Sequence, residues 1–172
     1  MMIFLFILVV IGLVGFIFIR RHRMNLLEKQ KNIIDQYLYR LRHFIAFKQY
    51  VGMDGCSGIA IDKNRKQICL VNNKNGIVKG KIIVYKDLLS SEIVEDGKNI
   101  ALHIVTRDIE QPKYIVNFIN IQIKKDNSLY KIAIAQAQYW CNLMSTIINQ
   151  VQEDEKLSKK SITEIPTISV TH

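Results

Sequence analysis

Residues 82–106, IIVYKDLLSSEIVEDGKNIALHIVT, decide the fold. Two β-branched runs flank Asp96-Gly97, a dipeptide that supplies the positive φ of a tight hairpin. From Asn99 to Thr106 the pattern has a period of two. Ile100, Leu102, Ile104 and Thr106 share one face, while Ala101, His103 and Val105 share the other. Such alternation marks a strand with one face buried. Upstream, Leu89 to Glu95 is its hairpin partner, and Lys86-Asp87 separates that strand from another over Lys81 to Tyr85.

Working outward, the same grammar continues on both sides. Ser57 to Ile61 and Lys66 to Val71 read as strands joined by the turn Asp62-Lys63-Asn64. Asn72 to Gly76 is a polar connection containing Asn75-Gly76, a further hairpin signal. Beyond a loop carrying Pro112, a strand is expected from Tyr114 to Ile123. The period then changes. Over Ser128 to Gln152, Ile132, Ala135, Tyr139, Leu143, Ile147 and Val151 form one helical stripe, with Trp140, Met144 and Ile148 beside it and Ser128 as N-cap. A sheet with one apolar face needs a cover, and this helix is long enough to provide it.

The remaining segments frame that domain. Residues 2–19, MIFLFILVVIGLVGFIFI, hold no charged residue, amide or proline. As a helix they span about 27 Å, close to the hydrocarbon thickness of a bilayer. Arg20, Arg21 and Arg23 follow at once, the opposite of the flank expected for a cleaved signal peptide. The run therefore predicts a single-pass anchor at the inner membrane, N-terminus outside and the following domain cytoplasmic. The division expected is 1–19 anchor, 20–50 basic juxtamembrane segment with a connecting helix, 51–152 β domain with its helix, and 153–172 disordered tail. In the connecting helix, Met24 to Phe47, an apolar face of Leu27, Ile34, Leu38, Leu41 and Ile45 must be covered. Its own domain or a partner, the membrane surface, and a second copy of 24–47 forming a homodimer are the three candidates.

The formal charge is +9, and the charge is unevenly placed. Residues 20–50 carry eight basic residues against Glu28 and Asp35. Juxtamembrane basic residues attract anionic headgroups, so Arg20, Arg21, Arg23, Lys29 and Lys31 are the expected lipid contacts. Basic residues interleaved with aromatics, as nucleic-acid grooves require, are missing from the domain, and no nucleic-acid partner is expected. Cys56, Cys69 and Cys141 are odd in number and irregularly spaced, unlike a disulfide framework. His22, His43, His103 and His172 are isolated, so no metal site is expected. No phosphate-cradling glycine motif is present, and Cys56 in DGCSG has no base beside it in sequence. No catalytic residue and no cofactor is expected.

The stretch IIVYKDLLSSEIVEDG resembles a segment of bacterial pleckstrin-homology-like domains: a strand ending in a Tyr-x-Asp turn, a Ser-x-Glu-Ile strand, then a hairpin. The resemblance covers about residues 57–151 and implies an α+β fold, an antiparallel meander in a partly open barrel or sandwich, closed by the C-terminal amphipathic helix. Six strands are read where that family has seven, and Gly76 to Val78 is the candidate for the seventh. The resemblance implies binding or scaffolding, carries no catalytic residue, and gives no lipid pocket that maps onto these positions. The expected function is a membrane-anchored, non-enzymatic module that recruits an unidentified protein or contacts anionic lipid. The alternative is a small membrane effector, such as an exclusion or immunity factor of a mobile element.

Overall fold

The computed structural model describes residues 15–17, 21, 28, 32, 34–41, 43–53, 55–97, 99–121 and 124–163, the last five as backbone only. The fold is α+β. Residues 34–40, the continuously described part of a helix α1, precede a four-stranded antiparallel sheet of β1 (Lys48–Val51), β2 (Ser57–Asp62), β3 (Gln67–Lys74) and β4 (Ile77–Val84), in that order. A 3-10 turn at Tyr85–Asp87 leads to a three-stranded antiparallel sheet of β5 (Leu88–Glu95), β6 (Asn99–Thr106) and β7 (Lys113–Asn120). Helix α2, Ser128–Thr163, closes the chain's described part.

Both expected hairpins form. Asn75 and Gly76 have φ of 55° and 82°, the two left-handed positions of a type I′ turn. At the other, the Asp96 carboxylate accepts the Asn99 N–H at 2.7 Å and Gly97 takes φ 79°. Residues 76–78 are not a separate strand. Gly76 belongs to the turn, Ile77 and Val78 open β4, and the seventh strand is β1.

The main core lies between the sheets and under α2. Ile100, Leu102 and Ile104 of β6 are at most 2 % exposed, as their period of two requires. They meet Ile59, Ile61, Ile68 and Leu70 from the first sheet and Val116 and Phe118 from β7. From α2 come Ala133, Ala137, Trp140, Met144, Ile147 and Ile148. This corrects the expected stripe in its first half: Ile132 and Tyr139 are half exposed, Ile147 is buried as expected, and Trp140, Met144 and Ile148 from the row beside it are buried too. Both rows have three- and four-residue spacing, so periodicity alone could not choose. Packing chooses, because Ala133 and Ala137 let the helix approach the sheet while Trp140 fills the space between layers.

A second apolar cluster covers the outer face of the first sheet. Ile34 and Leu38 of α1, with Phe44, pack on Val51, Ala60, Cys69 and Val71, and Tyr37, Leu41 and Val78 complete the layer. The connecting helix thus lies on its own domain at these positions. A sheet covered on both sides explains why every residue of β2 is buried.

The helix expected as far as Phe47 ends at residue 40. Tertiary partners outcompete the helical hydrogen bonds there. Ile45 donates its N–H to the buried carboxylate of Asp62 at 2.9 Å, and Phe47 donates to the Ile61 carbonyl at 2.7 Å. β1 follows directly, with Lys48 opposite Ile61 and Val51 opposite Gly58. Residues 48–50, expected in the connecting segment, therefore belong to the sheet.

The segment 153–163, expected to be disordered, continues α2. Once a helix is nucleated each further residue adds a hydrogen bond at little cost, and Lys66–Asp154 and Arg107–Glu155 pairs at 3.7 and 3.6 Å hold this turn against the sheet ends. Residues 164–172 lie outside the described residues. So does the expected anchor over 2–19, except for helical Gly15, Phe16 and Ile17. Among the described residues no helix is long and apolar enough to cross a membrane.

Gly58 sets how closely α1 sits. A Cβ there would lie 3.0 Å from Ile34 Cγ2 and 3.2 Å from the Tyr50 carbonyl oxygen. Gly58→Val is expected to weaken the docking of α1 by about 1–3 kcal/mol through overpacking. Trypsin should then cut at Arg40 and Arg42 roughly tenfold faster, while the main core's thermal transition shifts little. Unchanged cleavage would mean that α1 does not depend on this contact.

Candidate binding groove

The β3–β4 hairpin turns one face inward past the end of the main core. Strand alternation places Leu70, Asn72 and Lys74 of β3 and Ile77, Lys79 and Lys81 of β4 on that face. Across from it stand Gln111, Lys113, Tyr114 and Ile115, from the β6–β7 loop and the start of β7. Between them is an open groove of about 700 Å³. Its lining holds four lysines, several amide side chains and apolar patches, and no carboxylate.

Two carboxylates at the rim compensate part of this charge. Asp108 pairs with Lys81 at 3.0 Å and accepts the Tyr114 hydroxyl at 3.0 Å. It also accepts the N–H groups of Glu110 and Gln111 at 3.1 and 3.3 Å. Lys81, then Tyr114 and the loop N–H groups hold its carboxyl down at about 2, and Lys81 is pushed up in return. Glu92 pairs with Lys113 at 3.8 Å. Among the described residues neither Lys74 nor Lys79 has a carboxylate at salt-bridge distance, so the positive potential concentrates at the hairpin end.

The Asp108 network gives a pH prediction. Its folded-state carboxyl lies below the ordinary 3.8, so its contribution is fully present above about pH 4 and is lost as pH falls through about 2. A carboxyl-carbon NMR titration is expected to show a midpoint near 2 for Asp108, and Lys81→Met should raise it toward 3.8. A midpoint unaffected by Lys81→Met would break the link between the loop and β4.

The outer face of β4 adds one tight contact. The ring of Tyr37 lies on Gly80 so closely that a Cβ there would collide with it. Glycine at this position lets α1 reach the edge of the sheet, and it ties the connecting segment to the strand that lines the groove.

Of the residues expected to touch lipid, the described one, Arg21, is not in the groove lining. Arg20, Arg23, Lys29 and Lys31 lie outside the described residues, and Arg21 is helical and exposed. The groove lysines were missed because Lys79 and Lys81 are separated in sequence from Lys113 by more than thirty residues. Their one local signal is Lys-x-Lys directly after an Asn-Gly turn, which puts two cations on the same face of a strand.

Among the described residues the groove lining holds no cysteine, histidine or carboxylate. Cys69 lies in the second core, where burial pushes its thiol up to about 12, too high for a nucleophile. Cys56 and Cys141 are half-buried elsewhere, and Cys141 Sγ sits 3.8 Å from Ser91 Oγ. Among the described residues no group of three or more His, Cys, Asp or Glu side chains could hold a metal ion. The arrangement is suited to binding an anionic ligand. No family model, no curated protein and no solved structure matches this chain.

Proposed function

We propose that this chain is a membrane-anchored, non-enzymatic binding module that recruits a protein at the cytoplasmic face. The observation that carries the reading is the lysine-lined groove, which among the described residues has no lining carboxylate and lies beside two strand edges that no other strand covers. The apolar run 2–19 and the basic cluster after it supply the anchor and its orientation. Four strands, then three, then a helix is the element order that supports a pleckstrin-homology-like architecture.

Tethering gives such a groove its use. Residues 20–33 separate the proposed span from the docked part of α1. That length reaches about 20 Å as a helix and about 50 Å fully extended, which keeps the domain close to membrane-bound targets. Confinement of this kind raises effective concentration and makes weak contacts sufficient. Arg20, Arg21, Arg23, Lys29 and Lys31 would lie against anionic headgroups in this arrangement.

The test is fractionation with sidedness. The full chain is expected to stay with membranes through an alkaline carbonate wash, and trypsin should reach Arg40 and Arg42 only from the cytoplasmic side. Release by carbonate, or cleavage from outside, would contradict the reading.

A further inference from the structure

β4 is an edge strand, and the turn that starts it fixes which of its backbone groups are free. In a two-residue hairpin the flanking residues, here Lys74 and Ile77, form a hydrogen-bonded pair, and the pattern alternates from there. Ile77, Lys79 and Lys81 therefore direct their N–H and C=O groups to β3. Val78, Gly80 and Ile82 direct theirs out of the sheet. The Asn73 N–H, which bonds the Cys56 carbonyl at 2.7 Å on the side away from β4, has the phase this requires. Among the described residues no acceptor takes the N–H of Val78, Gly80 or Ile82.

From this edge and the groove beside it we infer a docking site for an extended acidic segment of a partner protein, added to the first sheet as a fifth strand next to β4. The inference rests on the reading of the chain as a binding module and names what it binds. Backbone pairing supplies attachment, and side chains at alternate positions supply specificity. Lys79 and Lys81 lie two residues apart on the groove face, about 7 Å along the strand. An added strand repeats at the same interval, so carboxylates at every second position fall opposite them. Lys74 extends the positive field toward the turn, while Lys81 is shared with Asp108 and Lys113 with Glu92. On the other face of β4 the added strand would meet Tyr37 and Ile82, which is 40 % exposed. The segment recognised therefore alternates acidic with apolar residues.

Two other occupants fit less well. A lipid phosphate favours donors converging on one point, whereas Lys79 and Lys81 are spaced along one strand and Ile77 and Ile115 share the lining with them. A second copy pairing edge to edge would set lysine against lysine, which is repulsive.

The test uses the full chain in phosphatidylcholine nanodiscs and a fluorescein-labelled peptide of about eight residues alternating Glu and Val. Anisotropy should report saturable binding, weakened at least about tenfold by Lys79→Glu and unchanged by Lys63→Glu in the β2–β3 turn. Hydrogen exchange should slow at the amides of Val78, Gly80 and Ile82 and not at Lys79 or Lys81, which already bond to β3. Equal binding of a peptide N-methylated at alternate amides would overturn strand addition, as would the absence of binding. Loss of peptide binding when phosphatidylserine replaces a third of the lipid would assign the groove to headgroups instead. If the chain leaves membranes in carbonate yet binds the peptide, the anchor fails and the docking edge stands. If it stays and does not bind, the docking edge alone fails.

Discussion

Trp140→Ala is expected to cost the domain about 3–5 kcal/mol, the range for removing a large aromatic from a packed core. Trp140 is 1 % exposed in the main core, which draws on both sheets and α2, with Ala137 and Met144 one turn to either side. Neighbouring strands cannot collapse into the space, because their registers are fixed by hydrogen bonds on both sides. Urea unfolding of the detergent-solubilised chain should show the midpoint falling by about 2 M at an ordinary slope. Tyr139→Ala is the control. Tyr139 is 42 % exposed and meets Lys48, whose ammonium lies 4.0 Å from the ring centroid, so its loss should cost less than about 1 kcal/mol. Comparable losses at the two positions would place the buried face of α2 wrongly.

The second large effect is at Asp62, a carboxylate only 1 % exposed at the end of β2. It accepts the Ile45 N–H at 2.9 Å and the Arg65 N–H at 3.1 Å, and the Arg65 guanidinium stands 3.8 Å away. Burial by itself would raise its carboxyl. The N–H groups of Ile45 and Arg65 and the guanidinium more than offset that, and the group is held below the ordinary 3.8. Asp62→Ala removes charge-assisted bonds and is expected to cost about 2–3 kcal/mol. Asp62→Asn, which keeps one acceptor oxygen, should lose about half as much. Since the folded-state value is depressed, the contribution is present above about pH 4 and disappears as pH falls through the lower folded value. In Asp62→Asn the acid-induced loss of stability should therefore be shallower. An unchanged acid limb would mean that the carboxyl does not fasten the chain between α1 and β1.

How much of this could be read in advance depended on how local the signal was. The β5–β6 hairpin carries its own instructions in Asp96-Gly97 and in the alternation of Ile100, Leu102 and Ile104, and the structure follows them. β1 carries none. Lys48–Val51 is a four-residue run that continues a helix-compatible segment, and it becomes a strand only because Gly58 to Ile61 lies alongside. The early end of α1 has the same origin, since Asp62, 17 residues from Ile45 in sequence, takes the N–H that a longer helix would use. On α2 two rows with equivalent spacing compete, and the space left by the sheets decides between them. The groove is the extreme case. Lys79, Lys81 and Lys113 acquire a common function only when β4 and β7 are brought to opposite sides of one opening.

This geometry also joins the proposed anchor to the groove. Tyr37 of α1 rests on Gly80 of β4, so the segment that follows the proposed anchor packs on the strand whose edge is free. A partner strand added there would touch both the sheet and the connecting helix. Docking would then stabilise α1 against the sheet by simple linkage, because the ligand favours the state in which Tyr37 is in place.

The most direct measurement is site-specific photocrosslinking from position 82, on the exposed edge of β4 but off the lysine face, in native membranes, followed by identification of the adduct. The proposal expects a protein adduct whose crosslinked peptide alternates acidic and apolar residues, and which Lys74→Glu in the same chain diminishes. Adducts to lipid alone, or none above the level obtained from position 63, would contradict it.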